Sequence, residues 1–300
     1  MAARDQWAEW LAERRFGGDP EIRRRFSEEL AQRADRVLDY AELSAGETLL
    51  DVGCGEGLIG FRAFDRGAGR VIFSDISEDL LDFCRETATR SRILDRCEFV
   101  RAPADDLVGV HDGSVDVVTT RSVLIYVADK ASAFREFARV LRRGGRISLF
   151  EPINRFARTG PVEDTWMGFD VTPIRPIAHK LRAVYEAIQP PDTDPMLDFD
   201  ERDLLDLAER SGFFPIHLDL EAEITPSEPR SWNGFLNTSG NPRIPTLAEA
   251  MRAALTPDER QTLIDHLRPL VEEGRGTWRM ASAHLSATKP PDAAADGRGL

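Results

Sequence analysis

The chain has 300 residues and a formal net charge of −13, with 39 basic against 52 acidic side chains. That balance argues against DNA or RNA as a partner, and the absence of any apolar run of about 18 residues argues against a membrane span. Cys54, Cys84 and Cys97 form no CxxC pair and Met1–Trp7 lacks the apolar segment of a secretion signal, so the expectation is a cytoplasmic protein with reduced thiols and no metal.

The length suits one large domain, or one domain with a sizeable appendage. Residues 4–15 carry Trp7, Trp10 and Leu11 at helical spacing. Phe16-Gly17-Gly18-Asp19-Pro20 breaks that helix, and Asp19 can cap a second one that starts at Pro20 and runs to about Tyr40. The apolar run Leu49–Val52 then has the length of a buried parallel strand. Gly53, Gly55 and Gly57 follow at alternate positions, and a helix begins at Leu58. Strand, glycine turn and helix N-terminus together cradle a nucleotide-like ligand. Gly55, Gly57 and Gly60 fit the dinucleotide spacing GxGxxG. Asp51, two residues before the first glycine, would repel a pyrophosphate and suits a ligand carrying an ammonium and a sulfonium.

Arg70–Asp75 reads as a second strand ending in an acid, 18 residues past Gly57 and close to the ~20 expected for a ribose-binding carboxylate. Ser77 can cap the helix 77–90, which leaves Asp75 for ribose hydroxyls. Cys97–Arg101 is a third strand, followed by the rival acids Asp105 and Asp106. Ser114–Arg121 is a fourth strand. Residues 129–142 form an amphipathic helix that stops at Gly144-Gly145, and Arg146–Pro152 is a fifth strand. Strands alternating with helices imply a parallel sheet wound on both faces, with ligands at the carboxyl ends of the strands. Asp51, Asp75, Asp105, Arg121 and Glu151 all fall at or near such ends.

Asp51-x-Gly53-x-Gly55-x-Gly57, the acid at Asp75, and Leu141-Arg142-Arg143-Gly144-Gly145-Arg146 before a strand and Glu151-Pro152 carry a resemblance. On them, residues 45–152 resemble the class I S-adenosylmethionine-dependent methyltransferases, in particular the ubiquinone/menaquinone-biosynthesis-type branch that acts on small molecules. The resemblance implies an α/β, Rossmann-like doubly wound seven-stranded sheet with N-terminal helices and helical cap insertions. It implies S-adenosyl-L-methionine as cofactor, S-adenosyl-L-homocysteine as product, and no metal. Cofactor-binding residues would be Asp51, Gly53, Gly55 and Gly57 at the turn and Asp75 on the ribose. Ile76 would lie on the adenine, Ala104 and Asp105 near its amino group, and Arg121 where the methionine end and the acceptor meet. The chain lacks the Asn/Asp-Pro-Pro-aromatic motif of DNA and amide N-methyltransferases after its fourth strand.

In the same frame, residues 1–44 are an N-terminal helical lid, 45–152 the cofactor-binding core, and 153–288 the rest of the sheet with cap insertions at 153–200 and 226–276. Helices are expected at 177–188, 199–211, 246–254 and 257–273, and strands at 213–224 and 278–288. Residues 289–300 read as a disordered tail. Trp7, Trp10, Tyr126, Trp166, Trp232 and Phe235 are the candidate substrate-binding aromatics; Trp7, Trp10 and Tyr126 serve equally well as packing anchors.

Methyl transfer from a sulfonium is an in-line displacement, so the protein's task is alignment and exclusion of water. An acidic acceptor also needs a base, for which Glu151 is the first candidate and His179 the second. The reading is a methyltransferase that moves a methyl group to an O, N or C atom of a small, partly apolar molecule, as a monomer or homodimer. An NAD-dependent oxidoreductase and a non-catalytic binding protein with the same fold are the alternatives.

Overall fold

The computed structural model describes residues 4–158 and 164–291. The chain divides into two compact units. One is built from Met1–Ala31, Pro152–Asp200 and Glu221–Ser282, the other from Gln32–Glu151, Glu201–Leu220 and Ala283–Leu300. The division runs between Ala31 and Gln32, inside the helix Pro20–Ala41.

Seven strands form one mixed sheet. They are β1 (Thr48–Val52), β2 (Arg70–Asp75), β3 (Cys97–Arg101), β4 (Val115–Arg121), β5 (Leu141–Pro152), β8 (Ile216–Pro226) and β9 (Thr277–Thr288), in the order β3-β2-β1-β4-β5-β9-β8. The first five are parallel, with Asp51 beside Phe73 on one side and Thr119 on the other. β9 runs the other way: Gly144 and Lys289 pair at one end and Ile153 and Ala281 at the other. The strand order reverses between β1 and β4, and in an open parallel sheet ligands bind at such a switch point, beyond the carboxyl ends of the strands.

β1 is buried along nearly its whole length, as expected of a parallel strand covered on both faces. One core joins Leu49, Val71, Phe73 and Val117 of the sheet to Ala34, Val37, Leu38 and Ala41 of the helix Pro20–Ala41 and to Ile59 and Ala63 of the helix Leu58–Asp65. Phe73 stacks on Phe99 at 5.5 Å between ring centroids. The hydroxyl of Ser148 donates to the Val37 carbonyl at 2.7 Å, fastening the long helix to β5.

The other unit has its own core, with Trp166, Phe169, Leu181, Trp232, Phe235, Met251, Leu263 and Leu267 buried together. Its helices are Arg175–Ile188, Trp232–Asn237, Leu247–Ala254 and Pro257–Glu272. Thr246 and Thr256 each cap a helix in a reciprocal box with the glutamate three residues on, satisfying two amides per helix that would otherwise lack partners.

Several boundaries depart from the sequence reading. Residues 4–15 are not one α-helix: Gln6–Glu9 is α-helical and Trp10–Arg14 is wider, π-helical turn. The cap insertion expected at 153–200 contains a two-stranded hairpin, β6 (Thr165–Trp166) paired with β7 (Phe169–Asp170). The helix Lys130–Val140 stops two residues early, because β5 begins at Leu141 and takes up the glycine pair in an irregular register opposite Val115–Val117. Of the tail expected from 289, residues 292–300 lie outside the described residues. Lys289 belongs to the sheet end instead, and its ammonium donates to the carbonyls of Ala138 and Leu141, both at 2.6 Å, closing the helix C-terminus with a positive charge.

Candidate functional site

The site is the bend after β1. Gly53, Gly55 and Gly57 all have positive φ, at 62°, 55° and 79°, a region that a side chain strongly disfavours. Gly53 has a second reason to be glycine, since a Cβ there would sit 2.4 Å from a methyl of Val123. The bend is anchored to β2 by the Cys54 amide, which donates to the Ser74 carbonyl at 2.9 Å. The thiols of Cys54 and Cys84 both lie against the Gly55 carbonyl, at 3.7 and 3.4 Å. Burial pushes the Cys54 thiol well above its ordinary pKa, so it stays neutral.

Asp75, the last residue of β2, touches the bend directly. One carboxylate oxygen accepts from the Gly55 amide and the other from the Ser77 amide, both at 2.9 Å. Ser77 caps the helix Glu78–Arg90 through its hydroxyl, which accepts from Leu80 at 3.1 Å. Beside Asp75, Ile76 leaves 43% of its surface exposed, an apolar face next to a hydrogen-bond acceptor. Ala104 is buried and Asp105 half-buried just beyond β3.

Asp51 is placed differently from the expectation that it faces the ligand. It is 2% exposed, and its oxygens accept from the Gly60 amide at 2.9 Å and the Thr119 hydroxyl at 3.4 Å. Burial pushes its pKa up to about 7, opposed by the Gly60 amide, the Arg121 charge and the Thr119 hydroxyl. Asp51 therefore supports the bend from behind. Arg121, half-buried at the end of β4, is the nearby cation named in that balance.

Glu151, the first base candidate, lies beneath the turn after β4. It is fully buried; one oxygen accepts from the Val123 and Leu124 amides, both at 3.0 Å, and from the Thr120 hydroxyl at 3.3 Å, and the other from the Ile125 amide at 3.3 Å. Burial raises its pKa to about 7 against those four donors. Ser122 holds a left-handed φ of 58°, uncommon for a non-glycine residue, and the carboxylate fixes the three amides that follow it. His179 is exposed on the helix Arg175–Ile188, whose buried side is Ala178 and Leu181, which leaves the second base candidate at a solvent face.

The six aromatic candidates separate. Trp10 is a packing anchor, its ring N–H donating to the Ser239 carbonyl at 2.9 Å, with Trp7 edge-on to it. Trp232 stacks on Phe235 at 5.8 Å. Trp166 and Phe235 line one cavity of about 430 Å³ within their unit. Tyr126 ends the turn Leu124–Tyr126, half-buried. Sequence reasoning missed Val123, whose methyl leaves no room for a side chain at Gly53, and the arginines and Tyr185 around that cavity. Arg182 and Tyr185 are three apart on an expected helix, a signal visible in the sequence; Arg230 and Arg279 come together with them only in three dimensions.

Residues 50–149, from mid-β1 through most of β5, match the family described as Methyltransferase domain. That segment is similar to a methyltransferase domain. The same region is 34% identical over 121 residues to the tRNA 5-carboxymethoxyuridine methyltransferase of Escherichia coli (strain K12), covering 40% of this chain and 45% of that one. It is 32% identical over 117 residues to the ubiquinone/menaquinone biosynthesis C-methyltransferase UbiE of Enterobacter sp. (strain 638), covering 38% and 46%. The chain thus matches less than half the length of these curated relatives. The solved structure of the 4+2 cyclase SpnF shares the fold with a TM-score of 0.51 at 20% identity, over 87% of this chain and 82% of that one.

Proposed function

We propose that the chain is an S-adenosyl-L-methionine-dependent methyltransferase whose acceptor is a small, partly apolar molecule. The observation that carries this reading is the Asp75 carboxylate bonded to the Gly55 amide at the carboxyl end of β2, beside the exposed Ile76. A ribose has two vicinal hydroxyls to donate and an adenine has a flat apolar face, and this pair of residues suits both. Ala104 and Asp105 would receive the adenine amino edge. The bound cofactor supplies a methyl group on a positively charged sulfur, and the protein's own residues orient it. The glycine bend lets backbone approach closely, the Asp51 field favours the cation, and the turn fixed by Glu151 sets the wall at the end of β4. Arg121 would meet the carboxylate of the methionine end.

The net charge of −13 supports a small acceptor over a tRNA, since a polyanion would be repelled. Among the described residues no group of His, Cys, Asp or Glu could hold a metal, and no helix is long and apolar enough to cross a membrane. The fold also carries a cyclase, so fold alone does not decide the reaction. Calorimetry with S-adenosylhomocysteine and NADH tests the cofactor: the first should bind and the second should not. Binding of NADH alone would reverse the reading. Methyl transfer is then assayed with labelled S-adenosylmethionine against quinols, phenols and amines; tight cofactor binding with no labelled product across the panel would favour a non-catalytic or cyclase-like role.

A further inference from the structure

The unit built from Pro152–Asp200, Glu221–Ser282 and the N-terminal segment contains the cavity of about 430 Å³. That size lies toward the lower part of the roughly 300–1,000 Å³ usual for small-molecule sites. Its lining combines two chemistries. Trp166, Phe169, Phe235 and Trp278 supply flat apolar walls. Among the described residues, four arginines, Arg158, Arg182, Arg230 and Arg279, line it against one carboxylate, Glu186. In a chain where acids outnumber bases so heavily, this excess of positive charge around one hollow is a local reversal, and a low-dielectric cleft focuses such a field.

The protein itself orders part of this set. Arg182 donates to the Thr165 carbonyl at 3.1 Å, and the Arg230 guanidinium lies 5.1 Å over the Trp278 ring. Tyr185 adds a polar group to the same wall. Its hydroxyl is buried with no hydrogen-bond partner among the described residues. Buried polar groups are nearly always satisfied, so one that is not asks for a partner from elsewhere. Burial raises the Tyr185 pKa, so the group stays an O–H donor at neutral pH.

We propose that this cavity binds a small organic carboxylate with a flat apolar body, the carboxylate held by Arg158 and Arg279 and the body laid between the aromatic walls. A guanidinium fork matches a carboxylate bidentately. The single negative charge suits a lining that contains Glu186, which a phosphate dianion would meet at greater electrostatic disadvantage. The proposal stands apart from the methyl-transfer reading, since it draws on none of the glycine-bend residues.

The test is calorimetric titration of the full chain with 2-naphthoate and with its uncharged isostere 2-naphthamide. The expected result is saturable one-site binding, with the carboxylate about tenfold tighter than the amide, the difference typical of a hydrogen bond to a charged group. In the double variant Arg158→Gln/Arg279→Gln the carboxylate should fall to the amide's affinity while the amide is unaffected. Circular dichroism melting reports folding, and S-adenosylhomocysteine titration of the same variant should match the unsubstituted chain, which keeps this test separate from that of the cofactor. Should the double variant melt early, Arg158→Gln alone, at an exposed position, must still remove part of the preference. Equal affinity for the two probes, a preference that survives both substitutions, or no saturable binding of either probe would overturn the proposal.

Discussion

The Gly55 amide donates to the Asp75 carboxylate at 2.9 Å across the gap between β1 and β2. This bond joins the turn to the acid that closes the next strand, two features 20 residues apart in the chain. Asp75→Ala should weaken S-adenosylhomocysteine binding by about 1–3 kcal/mol, through loss of charge-assisted bonds to ribose and loosening of the bend. Asp75→Asn should lose less, since one oxygen still accepts. Calorimetry on both variants checks this; unchanged affinity in the alanine variant would remove Asp75 from the site.

Gly53 and Val123 define the closest approach at the bend. Gly53→Ala places a Cβ 2.4 Å from the valine methyl at a φ of 62°, so it should destabilise the fold by about 1–3 kcal/mol from strain and overpacking. Val123→Ala in the same chain should restore the steric part and leave the backbone part. A double-mutant cycle in denaturant reads the two separately; strict additivity would show that contact with Val123 is not the obstacle.

Asp51 and Glu151 are acids whose pKa is raised to about 7 in the folded state. An acid of this kind binds its proton more tightly when folded, so the folded chain holds more protons than the unfolded one between the ordinary carboxylate range and about 7. Stability then falls as pH rises through that interval. The melting temperature should drop between about pH 5 and 8, and Asp51→Asn should flatten the slope. Glu47 and Glu136, whose pKa values are lowered by Arg146 and Arg139, act with the opposite sign but only at lower pH. A slope unchanged in Asp51→Asn would mean that Asp51 does not titrate there.

Glu151→Gln tests the structural role directly. The amide nitrogen of glutamine would face one of the four donors now satisfied by the carboxylate, at a cost of about 1–3 kcal/mol. The melting temperature should therefore fall. If activity were lost with stability and cofactor affinity intact, Glu151 would return as a candidate base.

Asp219 pairs with the Tyr40 hydroxyl and with Arg36 at 3.4 Å, tying β8 to the long helix before the sheet. Its carboxyl is held below the ordinary range, mainly by the Tyr40 hydroxyl. Tyr40→Phe should lower stability by about 0.5–1.5 kcal/mol without changing S-adenosylhomocysteine affinity. A calorimetric change in affinity would place Tyr40 in the binding machinery.

What the sequence determined by itself was the parallel half of the sheet and the place of its bend. Short apolar runs closed by glycine or an acid are local signals, and residues 48–52 and 70–75 formed strands where those signals stood. The tertiary structure decided the jobs of the acids. Asp51 and Glu151 look alike in the chain, each an acid at a strand end, yet burial and neighbouring amides turned both into supports of the bend and the 122–126 turn. The same is true of Trp166, Phe235, Tyr185 and the cavity arginines, drawn from segments up to 121 residues apart between Arg158 and Arg279. No local pattern encodes such a meeting, because it depends on how helices and strands of one unit pack around a shared core.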